Sequence, residues 1–300
     1  MKIFITGASG YIGSSLAKYF SDIGYKVRGL IRQKQKFKAL QAINVTPILG
    51  NLDDTELLTK EAHYADIVIN AANSDHLLSI QTFIHAFKNS NKLFIHTSNS
   101  SIISDDARGE YGNKKIYTDE MSFTPIDIRL KPVDINNAVC IAGVLDGFKT
   151  AIILPTMVYG ETLGLPAVSN QLQRLFNQSR RYKAGAYIGK GLNEWSNVHI
   201  LDLVKLYHLV IQKKPSASYF YAENGSSTFL AIAQSISHSL GYKGKIQSWP
   251  IEEAIKKYGN WAQFALGSNS IVKAVHAKEL LNWKPQFNSI HKWIKTTKIQ

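Results

Sequence analysis

Lys2-Ile3-Phe4-Ile5-Thr6-Gly7-Ala8-Ser9-Gly10-Tyr11-Ile12-Gly13 opens the chain with a short β-branched and aromatic run that stops at glycines spaced G-x-x-G-x-x-G. The run 2–6 reads as a strand, and a helix follows with Ile12, Leu16, Tyr19, Phe20 and Ile23 on one face. Glycines between a strand and a helix have a physical use. Gly7 permits the tight turn, Gly10 lets the backbone approach a pyrophosphate, and Gly13 lets helix and strand pack closely. The helix start then offers unpaired N–H groups and a positive dipole end to an anion. Residues 7–13, with Ser9, Tyr11 and Ile12 between the glycines, are therefore the candidate cradle of a dinucleotide.

Outward from this loop, short apolar runs alternate with helix-period stretches. Gly24 closes the first helix. Further strands are expected at 26–31, 45–49, 66–70, 93–97 and 150–154, each pair separated by enough chain for a crossover. This alternation predicts an α/β fold, a Rossmann-like doubly wound parallel sheet with helices on both faces. After Pro155 the rhythm changes. Residues 159–193 are rich in Gly, Gln and Arg and show no strand rhythm, and amphipathic helices follow at 203–211 and 230–240. The expected division is a nucleotide-binding domain over 1–155 and a smaller, mainly substrate-binding portion over 156–300. A late strand at 219–222 is expected to return to the sheet. Asp202 is the expected N-cap of the 203–211 helix.

Cofactor choice is decided at the end of the second strand, about 20 residues past the glycine loop. An NAD site usually places a carboxylate there. Here the slot holds Ile31, followed by Arg32, with Arg28, Lys34, Lys36 and Lys38 nearby. A guanidinium without a neighbouring carboxylate suits a 2′-phosphate. NADP(H) is the expected cofactor, with NAD(H) as the alternative and Arg32 as the discriminating residue.

Bulk properties bound the remaining possibilities. The chain has 300 residues, 45% hydrophobic and 19% charged, as in ordinary globular proteins. Its formal net charge of +13 favours anionic ligands, but no aromatic–basic stripe or nucleic-acid motif accompanies it, so no nucleic-acid partner is expected. The one cysteine, Cys140, excludes an intrachain disulfide, and the nine histidines show no metal-ligand spacing, so no metal is expected. No run approaches the roughly 20 apolar residues of a membrane helix, and the start does not read as a signal peptide. A cytoplasmic protein without a membrane partner is the default expectation.

Several stations along the chain resemble the extended and atypical short-chain dehydrogenase/reductases, the NAD(P)-dependent epimerase/dehydratase group. They include the 6–13 loop and Gly50-Asn51-Leu52-Asp53-Asp54, which is similar to a Gly-Asp-Leu-x-Asp run. Asn70-Ala71-Ala72, the Ser-rich run Thr97-Ser98-Asn99-Ser100 and Pro155-Thr156-Met157-Val158-Tyr159-Gly160 match further stations. So do Trp195-Ser196-Asn197-Val198-His199-x-x-Asp202 and Leu281-Asn282-Trp283-Lys284-Pro285. The resemblance implies that Asn51 and Leu52 face the adenine side, and that Ala71, Ala72 and Pro155 lie along the cofactor. It also implies a small-molecule substrate near Ser98, Ser100 and Tyr159, with Trp195 and Asn197 as weaker candidates, and it is compatible with a homodimer.

The chain departs from this pattern where the reaction would occur. The group uses a Tyr acid/base with a Lys four residues later on one helix face. Here the corresponding helix is expected to begin near Lys131-Pro132-Val133, with neither residue in place. A literal Tyr111-Gly112-Asn113-Lys114-Lys115 falls in a Gly/Asp-rich loop and reads as a chance match. The expected function is an atypical NADP(H)-dependent oxidoreductase acting on a small carbonyl or alcohol, or on a sugar-like substrate. The alternative is a catalytically silent NADP(H)-sensing regulator.

Overall fold

The computed structural model describes residues 1–297. Its central sheet uses β1 (Lys2–Thr6), β2 (Lys26–Ile31), β3 (Thr46–Leu49), β4 (Ile67–Asn70), β5 (Leu93–Thr97), β6 (Lys149–Pro155) and β7 (Ser218–Ala222). These seven strands are all parallel, in the order β7-β6-β5-β4-β1-β2-β3. Helices cover both faces, so the central strands are apolar runs without alternation: Ile67-Val68-Ile69 and Ala151-Ile152-Ile153-Leu154 are fully buried. The α/β doubly wound class read from the sequence is the class observed.

Topology also positions the ligand crevice. From β1 the chain winds outward through β2 and β3, then returns to place β4 on the other side of β1. The order therefore reverses between β1 and β4, and such sheets bind ligands beyond the strand C-termini at that switch point.

The later chain builds a smaller layer beside the crevice. Met157–Tyr159, Glu194–His199 and Ser226–Thr228 form a three-stranded sheet. A second buried cluster, including Leu172, Phe176, Phe229 and Trp249, holds its helices together.

Three local readings change. Residues 159–193 contain a strand, Gly185–Ile188, after a helix, Asn170–Tyr182, whose Leu172, Leu175, Phe176 and Ser179 form one buried face. The helix before β6 runs Asp127–Leu145 and starts four residues earlier than Lys131, with Pro132 in its interior. That proline removes one helical N–H, so the Ile128 carbonyl lacks its usual partner. The Ile200–Lys213 helix is capped by His199, whose Nδ1 accepts from Leu201 N–H at 3.2 Å. Asp202 lies inside that helix instead, and its carboxylate accepts backbone N–H bonds from Gln286 and Phe287 at 2.9 Å, clamping the C-terminal segment.

Candidate active site

The Tyr11–Asp22 helix begins at Gly10, which has extended backbone and offers no side-chain cap. The first amides of that helix therefore need an external acceptor. The glycines around it serve different purposes. Gly7 has φ +67°, and an added Cβ there would lie 2.6 Å from the Ala71 carbonyl oxygen. At Gly13 a Cβ would lie 2.2 Å from the Gly7 carbonyl oxygen, so both positions are closed by packing. At Gly10 the nearest atom would be 3.3 Å away, and this residue opens on a cleft. An open helix N-terminus behind a close backbone approach fits a pyrophosphate.

The cleft encloses about 1110 Å³ and extends from Gly10, Tyr11, Ile12 and Gly13 past Ala71 and Pro155 to Ser98. Its outer half is walled by Trp195, Trp261 and Phe264, with Ile128 and Arg129 from the first turn of the Asp127–Leu145 helix. Ser98 donates its backbone N–H to the Ile153 carbonyl at 2.9 Å, which fixes it against β6. Its buried Oγ has no hydrogen-bond partner among the described residues. The Asn99 Oδ1 is occupied by the backbone and hydroxyl of Ser101. Beneath the cleft, Thr6 Oγ1 donates to Asn70 Oδ1 at 2.6 Å, and Asn70 contacts His96 Nδ1 at 3.3 Å. Burial pushes the His96 ring down to about 4, so it is neutral near pH 7.

Other candidates are separated from this cleft. Ser100 is fully buried, and its Oγ meets Ser270 Oγ at 3.0 Å. Tyr159 donates to the Phe287 carbonyl at 2.9 Å, and its ring packs on His199 and Trp293. Burial pushes its hydroxyl well above the usual phenol range. Both were expected beside the substrate, and both instead satisfy the core. Asn197 is also buried and does not line the cleft. Tyr111 is exposed on an irregular segment, while the Lys115 ammonium lies over the Tyr117 ring, so the two share no helix face.

At the C-terminal end of β2, Ile31 is buried and Arg32 is exposed just beyond it. Arg28 is not available to help, because its guanidinium is held by the buried Glu61 at 2.6–2.7 Å. Asn51 uses its Oδ1 to accept from Asp53 N–H at 2.7 Å, and Leu52 packs on the core. Ser9 is half-buried in the glycine loop, and Ala72 is exposed beside Gly7.

Sequence reading missed Asp75, Arg129, Trp261 and Phe264, all of which line the cleft. For Arg129 a signal existed: Asp127 is an acidic residue suited to a helix first turn, and it places the helix start before Pro132. Trp261 and Phe264 arrive on the short helix Asn260–Leu266 from far along the chain.

Comparisons with known proteins agree with this geometry. The NmrA-like family model matches residues 1–111. Across 98% of this chain and 94% of the other, the fold superposes with TM-score 0.78 and 16% identity on dTDP-glucose 4,6-dehydratase from Bacillus anthracis in complex with NAD. Oxidase ucsJ of Acremonium sp is 29% identical over 95% of this chain and 92% of its own. The chain is similar to the atypical extended short-chain dehydrogenase/reductases. The chain is also similar to the 4-hydroxy-2-methyl-3-oxo-4-farnesyl-3,4-dihydroquinoline-1-oxide ketoreductase of Stigmatella aurantiaca, 22% identical over 85% of this chain and 78% of its own. The chain is thus similar in sequence to an oxidase and a ketoreductase, and in fold to NAD-binding epimerases and dehydratases. Among its described residues no helix is long and apolar enough to cross a membrane.

Proposed function

We propose that the protein is an NADP(H)-dependent oxidoreductase that acts on a small-molecule carbonyl or alcohol. The observation that carries this reading is the continuity of one cleft from the uncapped helix start at Gly10 to the free hydroxyl of Ser98. Residues 7–13 hold the pyrophosphate, Arg32 holds the 2′-phosphate, and Asn51 and Leu52 face the adenine side. Ala71, Ala72 and Pro155 run along the dinucleotide. When bound, NADPH supplies the hydride. The chain supplies position: Ser98 Oγ is free to hydrogen-bond a substrate oxygen, and the aromatic wall excludes water from one side. The quinoline N-oxide ketoreductase among the relatives supports a ketone as the substrate.

The absence of a Tyr–Lys pair on the Asp127–Leu145 helix favours a second reading, a catalytically silent NADP(H) sensor. Calorimetric titration with NADPH, followed by NADPH oxidation over a panel of ketones, separates the two. Turnover of any ketone supports the enzyme, binding without turnover supports the sensor, and failure to bind NADPH overturns both.

The proposal extends to a homodimer. Leu130, Ile141, Val144 and Leu145 are 46–74% exposed along the Asp127–Leu145 helix, an apolar face suited to a second copy. A monomeric sedimentation coefficient at micromolar concentration would overturn this.

A further inference from the structure

Arg129 carries the single positive charge and Asp75 the single negative charge among the described residues that line the cleft. The arginine is held from several sides. Its Nε donates to Ser104 Oγ at 3.2 Å, and its guanidinium carbon lies 5.1 Å from the Phe264 ring centroid. Its terminal nitrogens have no hydrogen-bond partner among the described residues. Burial lowers its pKa, and the Asp75 carboxylate opposes that shift, but a guanidinium stays charged near neutral pH. A part-buried cation with free donors calls for acceptor atoms from a ligand. The free edge of a guanidinium offers two parallel N–H groups, which match two adjacent oxygens rather than one.

The surroundings are flat and stiff. Trp195 is buried, and its Nε1 donates to the Ser268 carbonyl at 2.9 Å, which fixes the indole plane. The Trp261 ring is backed by the Arg174 guanidinium at 3.8 Å from the centroid. Phe264, one turn along from Trp261, also lines the cleft, and the Arg129 guanidinium lies over its ring. Aromatic rings that line a cleft can stack on, or meet edge-on, a planar aromatic guest.

We propose that the outer half of the cleft takes a planar aromatic compound with two adjacent carbonyl groups, its oxygens held by the terminal N–H groups of Arg129. This rests on the oxidoreductase reading and names its substrate class. In the reduction, hydride from NADPH adds to one carbonyl carbon and the C=O π pair moves onto the oxygen. That oxygen takes a proton from water, giving an α-hydroxy carbonyl and NADP⁺. Arg129 stabilises the developing negative charge and keeps its own protons. A nucleotide sugar fits less well, because its diphosphate would face one cation with a carboxylate beside it.

The test uses isatin, cyclohexane-1,2-dione and UDP-glucose, each titrated calorimetrically into full-length protein loaded with NADP⁺, where no turnover occurs. Isatin should bind most tightly, and cyclohexane-1,2-dione about ten-fold more weakly for want of an aromatic plane. Arg129→Leu should weaken isatin by about ten- to a hundred-fold, with NADP⁺ binding within about two-fold of the parent. Arg129→Lys should restore only part of the loss, since an ammonium lacks the planar fork. Phe264→Leu should also weaken isatin and spare NADP⁺, which guards against a misfolded Arg129 variant. Tighter UDP-glucose than isatin, equal affinity for the two diones, or unchanged isatin binding in Arg129→Leu overturns the proposal. Failure of isatin with NADP⁺ binding intact overturns this substrate class alone, whereas failure of NADP⁺ overturns the cofactor reading beneath it.

Discussion

The Tyr11 hydroxyl donates to the Gly160 carbonyl at 2.7 Å, joining the first turn of the Tyr11–Asp22 helix to the loop that enters the smaller layer. Ser15 adds to the same seam through Thr162 Oγ1 at 3.1 Å and Leu163 N–H at 3.2 Å. Gly164 lies so close that an added Cβ would be 2.2 Å from the Ser14 carbonyl oxygen. Two parts of the cleft thus share one wall. Tyr11→Phe leaves the buried Gly160 carbonyl unpaired and should lower stability by about 1–2 kcal/mol. Chemical denaturation measures this, and an unchanged midpoint would contradict the role given to the bond.

The proposed preference for NADP(H) rests on Arg32, because Ile31 is buried and Arg28 is already paired with Glu61. A charge-assisted contact to the 2′-phosphate contributes about 1.5–3 kcal/mol, or about ten- to a hundred-fold in affinity. NADPH should bind more tightly than NADH by that ratio, and less so at high salt. Arg32→Ala should weaken NADPH and leave NADH nearly unchanged. Equal loss for both cofactors in a competition titration would place the phosphate elsewhere.

Stability should fall in acid through buried histidines. Burial lowers His96 and His199 to about 4 from the ordinary 6.5. Between those values the unfolded chain binds more protons than the folded one, so stability rises with pH there. It is fully present above about pH 6.5 and is lost as pH falls toward 4. Thermal melting across this window should show the decline, and His96→Leu should make it shallower. A His96→Leu slope equal to that of the parent would show that this ring is not neutral in the fold.

The fold was legible because its signals are local and periodic. Strand, glycine turn and helix follow one another within residues 2–22, and each buried strand is a short apolar run between breakers. Of the cleft, the wall made by Gly10–Gly13, Ala71 and Pro155 was legible. Arg129 was hidden because Pro132 reads as a helix start, while the helix begins at Asp127 and tolerates the missing N–H. Trp261 and Phe264 line one cleft with Arg129 across more than 130 residues of chain, a juxtaposition that no local pattern encodes. Tyr159 shows the opposite error: its station in the sequence resembled the family, but the Phe287 carbonyl and the His199 ring turn it into the core.

If the helix beginning after Gly10 receives a dinucleotide pyrophosphate, as proposed, Gly10→Val should remove the space for it. The position has φ −86°, and its nearest Cβ contact would be 3.3 Å, so the variant should fold, in contrast to substitutions at Gly7 or Gly13. The valine side chain would instead occupy the mouth of the cleft. Isothermal titration of the folded variant with NADPH should show binding abolished, with a thermal melt close to the parent's. A folded Gly10→Val protein that binds NADPH with the parent's affinity would contradict the account.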